Sequence, residues 1–370
     1  MSDWNYCVET LPKVSRTFAL NISVLRGDLH KSILVAYLFC RTIDTVEDAG
    51  KLDTPNKIRL LLDFASLLKN DKNRKTALNQ WIEDTAIVDG NPADLNLLRN
   101  TRKIFNVFDS LQGSHKQQIV SSVCTMAKGM VYFQKKFSAG QITLLENSDE
   151  LEEYCYFVAG AVGEMLCNLF MHEMPSLSTL NKEIMQKTAV SFGLGLQITN
   201  ISKDIVVDRG RGWSYVPRSY IEANGLTPEE FHASASTEND LKVLESLLNK
   251  TVGHLNDALD FTLAIPRSNM RARLFCIWPL WMAMETVAVL HNNHDLLKSD
   301  ANVKISRQTV KGILRRTPFI CWSNILLKQS FENILKRKQI DNTESFSLDK
   351  LKQRLGNLVL DDIPQKPKAA

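Results

Sequence analysis

Glycine is scarce. It fills 16 of 370 positions, about 4% where ~7% is usual, and neither glycine nor the 11 prolines punctuate short alternating segments. That speaks against a sandwich or barrel of many short strands and for long helices. Charge of one sign is also lacking. The 45 basic and 41 acidic side chains leave a formal +4, too mild to require a nucleic-acid partner. The seven cysteines (Cys7, Cys40, Cys124, Cys155, Cys167, Cys276, Cys321) include no Cys-x-x-Cys pair. An odd number, mostly inside apolar runs, argues against a disulfide framework or a zinc site and for a reducing compartment.

The N-terminus, Met-Ser-Asp-Trp-Asn-Tyr, lacks the basic segment and apolar stretch of a signal peptide. The most apolar run, Leu274 to Leu290, contains Pro279, Glu285 and Thr286 and falls short of the ~20 apolar residues of a membrane span. A buried core helix is expected there. With a polar C-terminal tail and no anchor read, a cytoplasmic monomer is the expectation.

What the chain has in abundance is helical periodicity. Ser32 to Asp48, Pro55 to Lys69, Asp94 to Leu111, Gln117 to Phe137, Leu151 to Met171, Asn181 to Asp208, Leu241 to Leu263 and Met270 to His291 all read as helices. Thr54 before Pro55 reads as an N-cap, and Thr227-Pro228-Glu229-Glu230 as a capping box. Linkers are short (Gly90 to Pro92, Ser176 to Ser178, His232 to Asp240). One all-α domain is therefore expected over residues 1–340, with a last helix and polar tail over 341–370.

Two acidic clusters carry the chemistry. In Asp44-Thr45-Val46-Glu47-Asp48 the two aspartates stand one helical turn apart with Glu47 on their flank. Like charges at that spacing repel, which a well-solvated surface or an intervening cation relieves; the apolar segment before them favours the cation. Further on, Asn200, Asp204 and Asp208 follow one another at one-turn intervals, with Gln197 three residues earlier. Oxygen ligands at turn spacing on two helices suit Mg²⁺ ions shared with substrate phosphates. Arg41, Lys203, Arg209, Arg211 and Arg218 are cations available to further phosphate oxygens. The small residues of Phe192-Gly193-Leu194-Gly195 leave room for a ligand or a neighbouring helix.

The motifs D-T-V-E-D and N-I-S-K-D-I-V-V-D-R resemble the signatures of the squalene and phytoene synthase family. So do Ser15-Arg16-Thr17-Phe18, Tyr154-Cys155-Tyr156-Phe157-Val158-Ala159-Gly160 and Arg211-Gly212-x-x-Tyr215-x-Pro217. The resemblance spans roughly residues 10 to 325. It implies an all-α isoprenoid-synthase fold around a central apolar cavity, and Mg²⁺-dependent head-to-head joining of two prenyl diphosphates. It further implies Asp44 and Asp48 as ligands of one metal group, and Asn200, Asp204 and Asp208 as ligands of a second. Arg41, Ser15, Gln197, Lys203, Arg209 and Arg218 are implied as substrate contacts, Tyr154 as the tyrosine of the ionisation and cyclopropanation chemistry, and Phe18, Val158 and Gly163 as pocket positions. Lys203 departs from the usual arginine and loses its bidentate fork.

A basic stripe remains: Lys304, Arg307, Lys311 and Arg315. By charge pattern alone it reads as a solvated or membrane-facing surface, and no G-x-G-x-x-G supports a Rossmann site. Val303-Lys304-Ile305-x-Arg307, however, resembles the segment that contacts NADPH in the squalene-forming members, which implies cofactor contacts for Lys304 and Arg307, with Asn200 also assigned to the cofactor. The expected reaction is therefore condensation of two farnesyl diphosphates to presqualene diphosphate, followed by NADPH-dependent reduction to squalene. Dehydrosqualene or phytoene synthesis without reduction is the alternative, and a non-catalytic relative the third reading. Peripheral contact with anionic lipid is the remaining partner expectation.

Overall fold

A computed structural model describes the chain except residues 72–73, 138–142, 211–212, 234–236, 299–302, 339, 341–345 and 365–370. Arg211, Gly212 and the 341–345 linker thus lie outside the described residues. Among the described residues eighteen α-helices account for nearly all the regular structure, and the strands are two parallel dipeptides, Thr143–Leu144 and Trp213–Ser214. The fold is all-α, as the periodicity requires. It divides into two compact units, Met1–Ala139 with Glu164–Pro175 and Val359–Ala370, and Gly140–Gly163 with Ser176–Leu358.

In the first unit the Gly27–Glu47 helix is buried on most sides. Phe39 at its middle packs against Phe64, Phe105 and Phe108 at ring-centroid distances of 5.6, 4.8 and 5.4 Å. Trp81 closes the cluster 5.0 Å from Phe64, its indole N–H donating to Leu60 O at 2.9 Å. This cluster fixes the helix whose C-terminal turn carries Asp44 and Asp48. The Thr54–Lys69 helix is capped by Asp53, whose carboxylate accepts from Asn56 N at 2.9 Å. Asp53 therefore takes the place expected for Thr54, and Pro55 sits in the first turn, where a missing N–H costs nothing. The segment expected as one helix from Asp94 to Leu111 is two, Pro92–Arg99 and Thr101–Asp109. Asn100 breaks it: its side-chain amide donates to Asn96 O at 2.9 Å, competing with the helical ladder.

In the second unit the Thr179–Gly210 helix runs 32 residues and packs along the Glu238–Ala264 helix. Its small residues serve helix contact. A Cβ on Gly193 would stand 2.4 Å from Ala159 O, one on Gly163 2.1 Å from Ala189 O, and one on Gly195 2.9 Å from Leu255. The Leu151-to-Met171 expectation resolves into Ser148–Cys155, a π-helical stretch Tyr156–Gly160, and Ala161–Glu173. Among the described residues two helices are long and apolar enough to cross a membrane, Ser148–Glu173 and Met270–Leu290, and they are 56% and 83% buried inside the fold over their most apolar stretch. The second is the core helix expected at Leu274 to Leu290. All seven cysteines are buried, and none is in a disulfide.

Candidate active site

Four polar side chains line one face of the Gly27–Glu47 helix at intervals of four, three and four residues: Tyr37, Arg41, Asp44 and, as the C-cap, Asp48. Burial raises the Asp44 carboxyl to about 7, with Asp48 adding repulsion and Arg41 opposing. Glu47, buried on the flank, is raised to about 8 by burial and by both aspartates, while Lys57 works against the shift. The Lys57 ammonium itself donates to the Glu47 main-chain carbonyl, 2.6 Å away. Burial and mutual repulsion thus hold Asp44 and Glu47 well above the usual carboxylate range despite the cations beside them.

Arg41 is committed sideways. Its Nε and Nη2 donate to the two carboxylate oxygens of Asp94 at 2.9 and 2.6 Å. That fork keeps the guanidinium beside Asp44 without letting it close onto Asp44 itself. Asp94 is buried and also accepts from the Asn91 side chain. Sequence reading missed it because 53 residues separate it from Arg41; in the sequence it marks only the start of the helix expected from Asp94 to Leu111. Tyr37 was missed as well, being read as an apolar position. Its ring packs 5.0 Å from Phe18, and burial raises its phenol to about 12, partly offset by a hydrogen bond with Ser15. The Ser15 hydroxyl also caps the Arg16–Ser23 helix, accepting from Phe18 N at 3.3 Å.

The other carboxylate row lies in the second unit. On the Thr179–Gly210 helix, Asn200 is exposed, while Gln197, Lys203, Asp204 and Asp208 are half-buried. Lys203 Nζ stands 3.2 Å from Asp204 Oδ2 and 3.4 Å from Asn200 Oδ1, a mobile point charge among the proposed ligands. Arg209 is turned off this row. Its guanidinium lies over the Phe231 ring at 4.4 Å, its three nitrogens have no hydrogen-bond partner, and burial lowers its pKa. Arg218 pairs with Glu146 at 3.2 Å and Glu222 at 3.8 Å on the surface.

Tyr154 lies in the last turn of the Ser148–Cys155 helix, buried and stacked on Tyr215 at 4.5 Å. The π-helical stretch begins two residues later, so a local widening of the helix sits beside the expected catalytic tyrosine; Val158, half-buried, lies within it. An ion-pair network the sequence did not reveal supports this helix. Glu152 bonds Lys250 at 2.6 Å, and Arg354 reaches Glu152, Glu153 and Asp149 at 2.5, 3.1 and 3.1 Å. Through Arg354 the Leu348–Gly356 helix is tied onto the element that carries Tyr154. Gly163 is a contact with Ala189 of the Thr179–Gly210 helix. Lys304 and Arg307 are both exposed; Lys304 precedes the Arg307–Ile320 helix, whose N-cap is Ser306.

A family model described as squalene/phytoene synthase matches residues 11–309. The chain belongs to the squalene/phytoene synthase family. Squalene synthase ERG9 of Candida albicans is 30% identical over 322 residues, covering 84% of this chain and 68% of that protein. The squalene synthase of Rattus norvegicus is 27% identical over 362 residues, covering 97% and 79%. A solved complex of TcSQS with a ligand, BPH1237, superimposes with a TM-score of 0.74 at 22% identity over 95% of this chain and 96% of that one. A ligand-bound dehydrosqualene synthase gives 0.55 at 20% identity over 90% and 97%. The fold is thus the squalene/phytoene synthase fold throughout.

Proposed function

We propose that the chain is a squalene synthase, a prenyltransferase that joins two farnesyl diphosphates head to head into presqualene diphosphate and then reduces this to squalene with NADPH. Family membership and relatives named squalene synthase support it. The structural observation that carries it is the buried acidic turn in which Asp44, Glu47 and Asp48 stand together. Asp44 and Glu47 are raised to about 7 and 8 because burial and mutual repulsion outweigh Arg41 and Lys57. Side chains arranged this way fit divalent cations bound through oxygen.

Asp44 and Asp48 would hold one Mg²⁺ group and Asn200, Asp204 and Asp208 a second. Such ions supply neutralisation of the charge that develops on a departing diphosphate. The chain's own residues do the rest. Lys203 offers an ammonium to diphosphate oxygens. Arg41, held by Asp94, offers its remaining guanidinium surface without rotating away. Tyr154, held flat on Tyr215, presents an aromatic face and a phenol where a carbocation forms, and aromatic faces stabilise passing cations. Phe18 and Tyr37 give the prenyl chain an apolar wall. Lys304 and Arg307, exposed at the start of a helix, fit the phosphates of NADPH, which supplies the hydride for the second step. Seven buried thiols outside any disulfide suit a cytoplasmic setting, which is part of the same proposal.

The test is product analysis with farnesyl diphosphate and Mg²⁺, with and without NADPH. Squalene formed only with NADPH supports the two-step reaction. One polyene hydrocarbon in both tubes establishes a dehydrosqualene-type synthase, and Lys304 and Arg307 return to being surface charges. In the two-step case Lys304→Ala with Arg307→Ala slows only the reduction, so presqualene diphosphate accumulates; an unchanged NADPH dependence removes both residues from the cofactor site.

A further inference from the structure

The corner between the Arg307–Ile320 and Asn324–Lys338 helices has two faces. Inward, Thr317, Cys321, Leu327 and Phe331 are buried. Three side-chain bonds fix this layer to the apolar Met270–Leu290 helix. Trp278 Nε1 donates to Thr317 Oγ1 at 2.9 Å, Arg273 Nη2 to Asn324 Oδ1 at 2.6 Å, and Trp281 Nε1 to Ser330 Oγ at 3.1 Å. Outward, Phe319, Trp322 and Ile325 are 76%, 54% and 68% exposed and Leu326 38%. Single exposed apolar residues need no explanation. Four large ones within eight positions, on a corner bonded to the core on both sides, form a fixed apolar surface of the kind that marks an interaction site.

Charge identifies the occupant. From Val303 to Phe331 the chain carries six basic residues (Lys304, Arg307, Lys311, Arg315, Arg316, Lys328) and no aspartate or glutamate. All six are exposed. With a formal +4 overall, the rest of the chain nets 4 − 6 = −2, so the positive charge is concentrated around the apolar corner. We propose that this corner seats the protein on an anionic lipid bilayer. Phe319, Trp322, Ile325 and Leu326 enter the boundary between headgroups and acyl chains, where tryptophan is favoured. Lys311, Arg315, Arg316 and Lys328 meet the lipid phosphates, each adding electrostatic attraction. The surface stands on its own residues; its use, delivering a hydrocarbon product into lipid, rests on the proposed reaction.

Flotation of the full chain with vesicles tests it, using phosphatidylcholine alone and an equal mixture with phosphatidylglycerol, at low and high salt. The parent chain floats with the mixed vesicles and is released by salt. Phe319→Ser with Trp322→Ser, and separately Lys311→Glu with Arg315→Glu, each weaken partitioning by about tenfold or more. Both variants keep the parent's unfolding midpoint and its diphosphate release from soluble substrate. Failure of the parent to float with mixed vesicles overturns the proposal, as does undiminished flotation of the variants. A parent dimer that the Phe319→Ser, Trp322→Ser variant turns into a monomer overturns it too, assigning the corner to a second copy of the chain. Flotation needs neither substrate nor Mg²⁺, so its failure is distinct from failure of the proposed reaction.

Discussion

The two carboxylate rows are chemically alike and physically different. The row ending the Gly27–Glu47 helix is anchored in an aromatic core, crowded by Glu47, and flanked by an arginine already locked to Asp94. The row on the Thr179–Gly210 helix is open: the Asp204 side chain is 40% exposed, and the flexible Lys203 lies beside it. The first row holds repulsion in the folded state that a bound cation would relieve. At Asp204, the member of the second row that is 40% exposed, water screens the charge more. Binding a cation should therefore stabilise the fold mainly through the first row, although the proposed chemistry needs both.

The largest effect tests that shared need. Asp48→Ala and Asp204→Ala should each reduce diphosphate release by at least about a thousandfold, and near-normal turnover in both would remove the metal assignment from both rows. Asp44→Asn separates them. It removes charge while keeping shape, so diphosphate release should fall by at least about a hundredfold, yet in Mg²⁺-free buffer the unfolding temperature should rise by a few degrees. Asp204→Asn should cost activity without that rise.

The pH dependence sharpens the contrast. Folding raises the Asp44 and Glu47 carboxyls to about 7 and 8, against about 4 in an unfolded chain. The folded state then binds more protons than the unfolded between about pH 4 and 8, so stability in the absence of divalent cation falls as pH rises through that window. Saturating Mg²⁺ should flatten the upper part of the curve in thermal melts. Asp44→Asn should flatten the same part without metal.

Helix packing supplies an effect of intermediate size. Gly163→Ala places a methyl 2.1 Å from the Ala189 carbonyl oxygen. Alanine is the better helix former by about 1 kcal/mol, but a clash with backbone has no side chain to yield. A net loss of about 1–3 kcal/mol is expected in denaturant unfolding, and a stabilised variant would show that this helix contact is looser than it stands here.

Most of the helices could be read from the sequence because burial imposes a 3.6-residue period, and both aspartate rows because turn spacing is a local property. What could not be read depends on distance along the chain or on backbone register. Asp94 becomes Arg41's partner only once the Pro92–Arg99 helix folds back on Gly27–Glu47, and Arg354 joins Glu153 across 201 residues. The π-helical Tyr156–Gly160 stretch looks helical in sequence, since one wider turn leaves the apolar pattern nearly intact. Arg209 follows Asp208 directly, so proximity in sequence suggested a phosphate contact. One residue is about 100° around a helix, enough to aim its guanidinium at Phe231.

The smallest expected effect on stability concerns the cations beside the two rows. Arg41→Lys keeps the charge but loses the fork onto a buried carboxylate, and should cost about 1–2 kcal/mol of stability. Lys203→Ala breaks a pair in which Asp204 is 40% exposed, so stability should change by less than about 0.5 kcal/mol. Its effect belongs in kinetics. An ammonium beside Asp204 both competes with a metal for that carboxylate and attracts the substrate's diphosphate. If the attraction dominates, KM for farnesyl diphosphate rises severalfold while kcat is retained at saturating Mg²⁺. That is the expected outcome, because the flexible lysine can leave Asp204 when a metal arrives, whereas Arg41 cannot leave Asp94 without stranding a buried charge. A fall in kcat with KM unchanged would instead show that Lys203 acts on the departing diphosphate alone, and would make the open row as preorganised as the buried one.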